Sequence, residues 1–211
     1  MKYSRTNYPT LETEHLNKNA KLFINREDMI NSFDLGSEPK IAEIGVAFGN
    51  FSEVMINKYK PSKFVAIDTF IMHEFNSHWG VPKEETLGNL THLEFFKKRF
   101  DFCSDIMEYK VGQSYDGIAD TPDNYFDLIY LDADHGYDYV KRDADISATK
   151  LKQDGILVFN DYIMYDHCAG VEYGVVQVVN EMVVYEGWEI IGFALQRDMF
   201  CDIAIKRKWT I

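Results

Sequence analysis

The sequence predicts a doubly wound α/β fold on a mostly parallel seven-stranded sheet, with N-terminal helices ahead of it and an antiparallel C-terminal hairpin. Three observations carry this. Short apolar, β-branched runs alternate with helix-like segments from residue 41 to residue 186. The runs are near-continuously apolar, the pattern of strands buried on both faces of a parallel sheet. The last two, "EIIGFALQ" and "MFCDIAIKRK", are separated only by Arg197 and Asp198, too little chain for a crossover, so they are antiparallel neighbours.

The elements follow in order. Residues 1–36 are largely polar, with Leu16, Leu22, Phe23, Met29, Ile30 and Phe33 spaced as in one or two helices covering the core, and "SEPK" at 37–40 ends them. "IAEIGV" (41–46) is the first core strand and runs into a helix, "NFSEVMINKY". "KFVAID" (63–68) is the second strand, and "LTHLEFFKKRF" (90–100) is helical. "MEYKVG" (107–112), "FDLIYLDA" (126–133) and "GILVFND" (155–161) are three more strands, the last two linked by the helix "YVKRDADISATKL" (139–151). "GVVQVVNEMVVYE" (174–186) is a helix despite its valines, being long for a strand. The chain reads as one domain over 1–211, with 1–36 as a helical cover and 40–211 as the core.

Composition narrows the function. Lys plus Arg number 22 against 34 Asp plus Glu, a formal net charge of −12, which disfavours nucleic acid and anionic membranes as partners. Cys103, Cys168 and Cys201 are odd in number and show no CxxC spacing, which suits a reducing compartment. No signal-like N-terminus and no 18-residue apolar run is present, so a soluble cytoplasmic protein is expected.

Ligands of such sheets bind beyond the carboxyl ends of the strands, where strand order reverses. The first core strand runs into "EIGVAFGNFSE", with Glu43, Gly45 and Gly49 ahead of a helix. An ordinary βα turn has the same look. The spacing is Gly-x-x-x-Gly rather than Gly-x-Gly-x-x-Gly, so the pyrophosphate cradle of a dinucleotide is missing. Glu43 would repel a phosphate and attract a cation. Asp68 ends the second strand, where a carboxylate can accept from both ribose hydroxyls. A cationic nucleoside without phosphates, such as S-adenosylmethionine, suits this pattern better than a nicotinamide dinucleotide.

"EIGVAFG", "VAIDTF", "VGQSYDGI" and "FDLIYLDADHGYDYVKRDADISATKLKQDGILVFNDY" together resemble the class I S-adenosylmethionine-dependent methyltransferases, with their Rossmann-like fold. The small O-methyltransferase branch, with its macrolide-sugar, aminocoumarin-sugar and catechol enzymes, is the most similar. The resemblance covers roughly residues 40–185. It implies that Glu43, Gly45 and Gly49 line the methionine part of the cofactor and that Asp68 holds the ribose. Gln113 and Ser114 would flank the adenine, or Ser114 would cap the helix that follows. A homodimer acting on a small-molecule acceptor is the family-level expectation.

Methyl transfer needs alignment and an acceptor that loses its proton, to a base or through a divalent cation that lowers its pKa. In the resembled enzymes the positions matching Asp132, Asn160 and Asp161 hold a metal, here Mg²⁺, and Asp132 also borders the cofactor. Asn160 departs from the pattern, since an acid is usual there. Asp134 and His135 are the candidates for the base. The pleat puts Asp132 and Asp134 on one side. Histidine has the better unperturbed pKa for neutral-pH proton transfer, while either residue could instead serve the start of the next helix. Residues 69–87, with His73, His78 and Trp79, form a long loop of the kind that often acts as a lid, and "MYDHCAGVEYG" (164–174) is a second candidate wall. Two other readings stand beside the transferase: a nucleoside- or partner-binding protein on a degenerate methyltransferase fold, which Asn160 favours, and a nicotinamide-dependent oxidoreductase, which the glycine spacing disfavours.

Overall fold

The computed structural model describes residues 8–208, so the first seven residues of the expected cover and the last three of the chain lie outside it. Its strands in chain order are β1 (Leu16–Phe23), β2 (Lys40–Ile44), β3 (Lys63–Asp68), the two-residue β4 (Ser77–His78) and β5 (Val81–Pro82), β6 (Met107–Val111), β7 (Phe126–Leu131), β8 (Leu151–Phe159), the two-residue β9 (Tyr165–Asp166) and β10 (Val171–Glu172), β11 (Trp188–Ala194) and β12 (Asp202–Arg207). The α-helices are α1 (Arg26–Asn31), α2 (Asn50–Tyr59), α3 (Lys83–Thr86), α4 (His92–Arg99), α5 (Ser114–Ala119), α6 (Tyr137–Lys150) and α7 (Val175–Tyr185).

Eight strands form one sheet in the order β1-β11-β12-β8-β7-β2-β3-β6, and β4-β5 and β9-β10 are separate hairpins. Every neighbouring pair is parallel except those made by β12, which runs antiparallel to both β8 and β11. The core is therefore the doubly wound α/β sheet with the expected C-terminal hairpin. Two apolar layers sandwich it. One packs α6 and α7 through Val140, Ala144, Val178 and Met182, and the other packs α1, α2 and α4 through Met29, Met55 and Phe96. The buried valines of α7, at 175, 178, 179 and 183, recur at helical spacing, which is why burial overrides their strand preference. Thr91 and Glu94 close a capping box at the start of α4.

The N-terminal segment departs from expectation. Residues 16–23 form an edge strand paired in parallel with β11, giving the sheet eight strands, and among the described residues the helical parts of this segment are a 3-10 turn at Thr13–His15 and α1. "LNKNAKLF" contains two asparagines, poor helix formers, and β11 otherwise offers an open edge whose backbone groups need partners. Among the described residues no helix is long and apolar enough to cross a membrane.

The chain winds β2-β3-β6 to one side and then returns to place β7 on the other side of β2. The switch point thus lies between β2 and β7, and the loops after β2, β3, β6 and β7 meet above it.

Candidate active site

A cavity of about 440 Å³ opens at that point, lined by the four strand-end loops and by Met72, Trp79 and Tyr139 at the rim. Gly45, at φ +84°, forms its floor: a Cβ there would collide with the backbone carbonyl of Asp132, so the close approach of the β2 and β7 loops requires glycine. Asp68 at the end of β3 accepts the backbone N–H groups of Val46 at 2.9 Å and Ala47 at 3.3 Å on one oxygen. Its other oxygen accepts the Phe70 N–H at 2.8 Å and the Thr69 hydroxyl at 3.3 Å. It therefore holds the glycine turn while facing the cavity. Gln113 and Ser114 line the opposite wall, with Gln113 at the N-cap position of α5 and Ser114 in its first turn.

The charge of this cavity is one-sided. Asp68, Asp132 and Asp134 line it, and no lysine, arginine or histidine is among the residues that do. Such a wall repels phosphate and favours a ligand with a positive centre. Asp132 and Asp134 share the cavity, as the pleat suggests, and Asp134 accepts the Gly136 N–H at 2.7 Å, steadying the turn into α6.

Two expected cofactor residues lie elsewhere. Glu43 is 1% exposed and accepts the Ser52 hydroxyl. Burial pushes its carboxyl up to about 8, with Ser52 and Arg26 opposing. The strand pleat turns it into the layer beneath α2. Gly49 begins α2 at φ +80° against the rings of Phe96 and Phe100, so its lack of a Cβ serves helix packing.

Behind the cavity wall lies a second polar centre. His135 stacks on Tyr173 with centroids 4.5 Å apart at an interplanar angle of 10°. Its Nε2 is buried without a hydrogen-bond partner among the described residues, 3.8 Å from Asp132 and 3.7 Å from Asp161. Burial lowers the imidazole pKa, a bond to Asn160 opposing, and burial pushes the Asp161 carboxyl up to about 7. The other Asp132 oxygen faces the Arg26 guanidinium at 3.7 Å. Arg26 also donates to the Tyr130 hydroxyl at 3.1 Å and lies 4.3 Å over the Phe51 ring. Tyr130 donates to Asp202 at 2.5 Å, and the Asn160 amide donates to Asp202 at 3.2 Å and weakly to Tyr130 at 3.4 Å.

The expected Mg²⁺ set of Asp132, Asn160 and Asp161 does not fit a divalent ion in this arrangement. One oxygen of Asp132 faces the Arg26 guanidinium, and Asn160 is bound into the Asp202–Tyr130 network. Among the described residues no group of three or more His, Cys, Asp or Glu could hold a metal ion. No local motif singles out Arg26, Tyr130 or Asp202 in the sequence. Tyr130 inside an aliphatic strand and Asp202 at the head of another were the available signals, since buried polar groups need partners. Arg26 carried none. In the 69–87 loop, His78 is tied to Thr86 and the Met72 carbonyl at 2.7 Å each, leaving Trp79, 78% exposed, at the cavity rim.

Fold and cavity together place an acid-lined pocket at the switch point of a doubly wound sheet. The model of the family described as "Methyltransferase domain" matches residues 42–162, more than half of the chain, and the chain belongs to that family, whose cofactor is S-adenosylmethionine. A search of curated proteins returned no match. Among solved structures, it is similar to an S-adenosylmethionine-dependent methyltransferase from Mesorhizobium loti (14% identity, 85% of this chain and 96% of that one, TM-score 0.57). It is also similar to a precorrin-6y C5,15-methyltransferase from Geobacter metallireducens (14%, 86% of each chain, 0.57). A ribosomal protein L11 methylase from Lactobacillus delbrueckii subsp. bulgaricus matches at 12% identity over 87% of this chain and 77% of that one, with TM-score 0.58. At these identities the likeness is one of fold.

Proposed function

We propose that this chain transfers a methyl group from S-adenosylmethionine to the hydroxyl of a small acceptor, a sugar or a phenol, as in the small O-methyltransferase branch. The observation that carries the reading is the cavity at the switch point, lined by carboxylates and by no basic side chain. Its volume suits one nucleoside ligand. In this reading Gly45 lets the ligand approach the backbone, Asp68 accepts a ribose hydroxyl in place of Thr69, and Gln113 and Ser114 flank the base. Asp132 and Asp134 face the sulfonium end. The net charge of −12 supports a small acceptor over a nucleic acid.

The bound cofactor would supply a methyl group already activated on a positive sulfur. The cavity residues would hold that methyl in line with the acceptor hydroxyl, and the chain would take the hydroxyl proton as the methyl is transferred. Asp134 is the proposed proton acceptor, because it faces the cavity while the ring of His135 is packed behind it. His135 then orients Asp132. Calorimetry with S-adenosylmethionine, S-adenosylhomocysteine and NAD tests the reading. The two sulfur nucleosides bind at micromolar to sub-millimolar concentration and NAD does not; silence from both at millimolar concentration would sink it. With an acceptor found by transfer of labelled methyl, Asp134→Asn keeps affinity for the uncharged S-adenosylhomocysteine and lowers kcat by about 10²-fold or more.

A further inference from the structure

We propose that Arg26 takes the place of the divalent cation: its guanidinium, delivered from α1, is the positive charge that holds Asp132 in position, and methyl transfer proceeds without a metal ion. This rests on the cofactor reading of the adjoining cavity. The geometry is specific. One oxygen of Asp132 is 3.7 Å from Arg26 and the other 3.8 Å from His135, so an ion bound to the first would sit against a permanent cation of the chain. Mg²⁺ requires near-octahedral oxygens at about 2.0–2.1 Å, and an ion held on this carboxylate would have to share it with the Arg26 guanidinium. Arg26 is itself fixed on three sides. Its side chain donates to Tyr130 and lies over Phe51, and its backbone N–H donates to Gln196 at 3.2 Å. Gln196 in turn donates to Asp202 at 3.2 Å, and Asp202 receives Tyr130 and Asn160. A guanidinium keeps its charge at every working pH, so it can serve as a permanent counter-ion where a bound ion would be exchangeable. Arg26 acts through Asp132 and is a positioning residue.

The test is manganese uptake by the full chain, followed by electron paramagnetic resonance, with S-adenosylhomocysteine affinity measured by calorimetry on the same samples. The quantity read is the Asp132-dependent part of the uptake, obtained by subtracting an Asp132→Asn variant. Wild type and Arg26→Lys show none up to millimolar Mn²⁺. Arg26→Gln, folded by circular dichroism, opens the carboxylates and binds Mn²⁺ at least tenfold tighter than wild type, and Arg26→Gln with Asp132→Asn loses that gain. Asp132-dependent uptake by wild type overturns the assignment, and so does an Arg26→Gln variant that gains nothing. If Arg26→Gln does not fold, the comparison of wild type with Asp132→Asn decides alone. Failure of the folded wild type to bind S-adenosylhomocysteine removes the cofactor reading, whereas normal binding with Asp132-dependent manganese uptake removes only the role of Arg26.

Discussion

Glu43 lies under β2 with the Ser52 hydroxyl as its partner, and its carboxyl is pushed up to about 8. In the unfolded chain it titrates near 4.3. Between those values the native state binds the proton more tightly, so the stability this group contributes is full below about pH 4.5 and is lost as pH rises through about 8. Glu43→Gln keeps an acceptor for Ser52 and removes the titration. Its melting temperature is expected to match wild type near pH 5 and to exceed it at pH 8, by the equivalent of about 2–4 kcal/mol, in scanning calorimetry across that range. An offset that stays constant from pH 5 to pH 8 would show that Glu43 is ionised in the native protein.

Strand β1 and the segment that follows it divide sharply between exposed and packed positions. Leu22 is 65% exposed, while Phe23 packs into the layer with Met29 and Tyr130. Phe23→Ala is expected to cost about 2 kcal/mol and Leu22→Asn less than about 0.5 kcal/mol in urea unfolding. The same division explains why this strand was hidden in the sequence. "LNKNAKLF" shows an eieeieei burial pattern, with no residue fully buried and no period-two alternation, so its apolar positions mimic a helix. The core strands were readable because both of their faces are buried. "FDLIYL" stays buried to its sixth residue, and the apolar pattern breaks at the next, Asp132, where the cavity wall begins.

For the molecule as a whole, a ligand that binds only the native state stabilises all of it. S-adenosylhomocysteine at about a hundred times its Kd is expected to add about 2.7 kcal/mol, a rise of about 5–10 °C in melting temperature for a chain of this size. NAD at the same concentration should leave the melting temperature unmoved, and an equal shift from both would mean that the cavity does not discriminate against phosphate. The cavity wall was largely legible from sequence, because Gly45, Asp68, Gln113, Ser114, Asp132 and Asp134 each end or follow a strand and the topology gathers strand ends. The centre behind it was not. Arg26 and Asp132 stand 132 − 26 = 106 residues apart, and Asp202 lies a further 202 − 132 = 70 on, with no local motif joining them. Such a cluster is specified by sheet order, and sheet order is set by packing across the entire chain.

The pairing of Leu16 with Ile190 spans 190 − 16 = 174 residues. During synthesis, β1 must wait for β11, made much later, before it has a neighbour in the sheet. Until β11 and β12 are made, the Arg26 segment lacks Gln196, and Tyr130 and Asn160 lack Asp202, although every residue that lines the cavity is made by residue 139. A growing chain thus gathers the cavity-lining loops before the partners of Arg26 exist and while the core still lacks Trp188, Ile203 and Ile205.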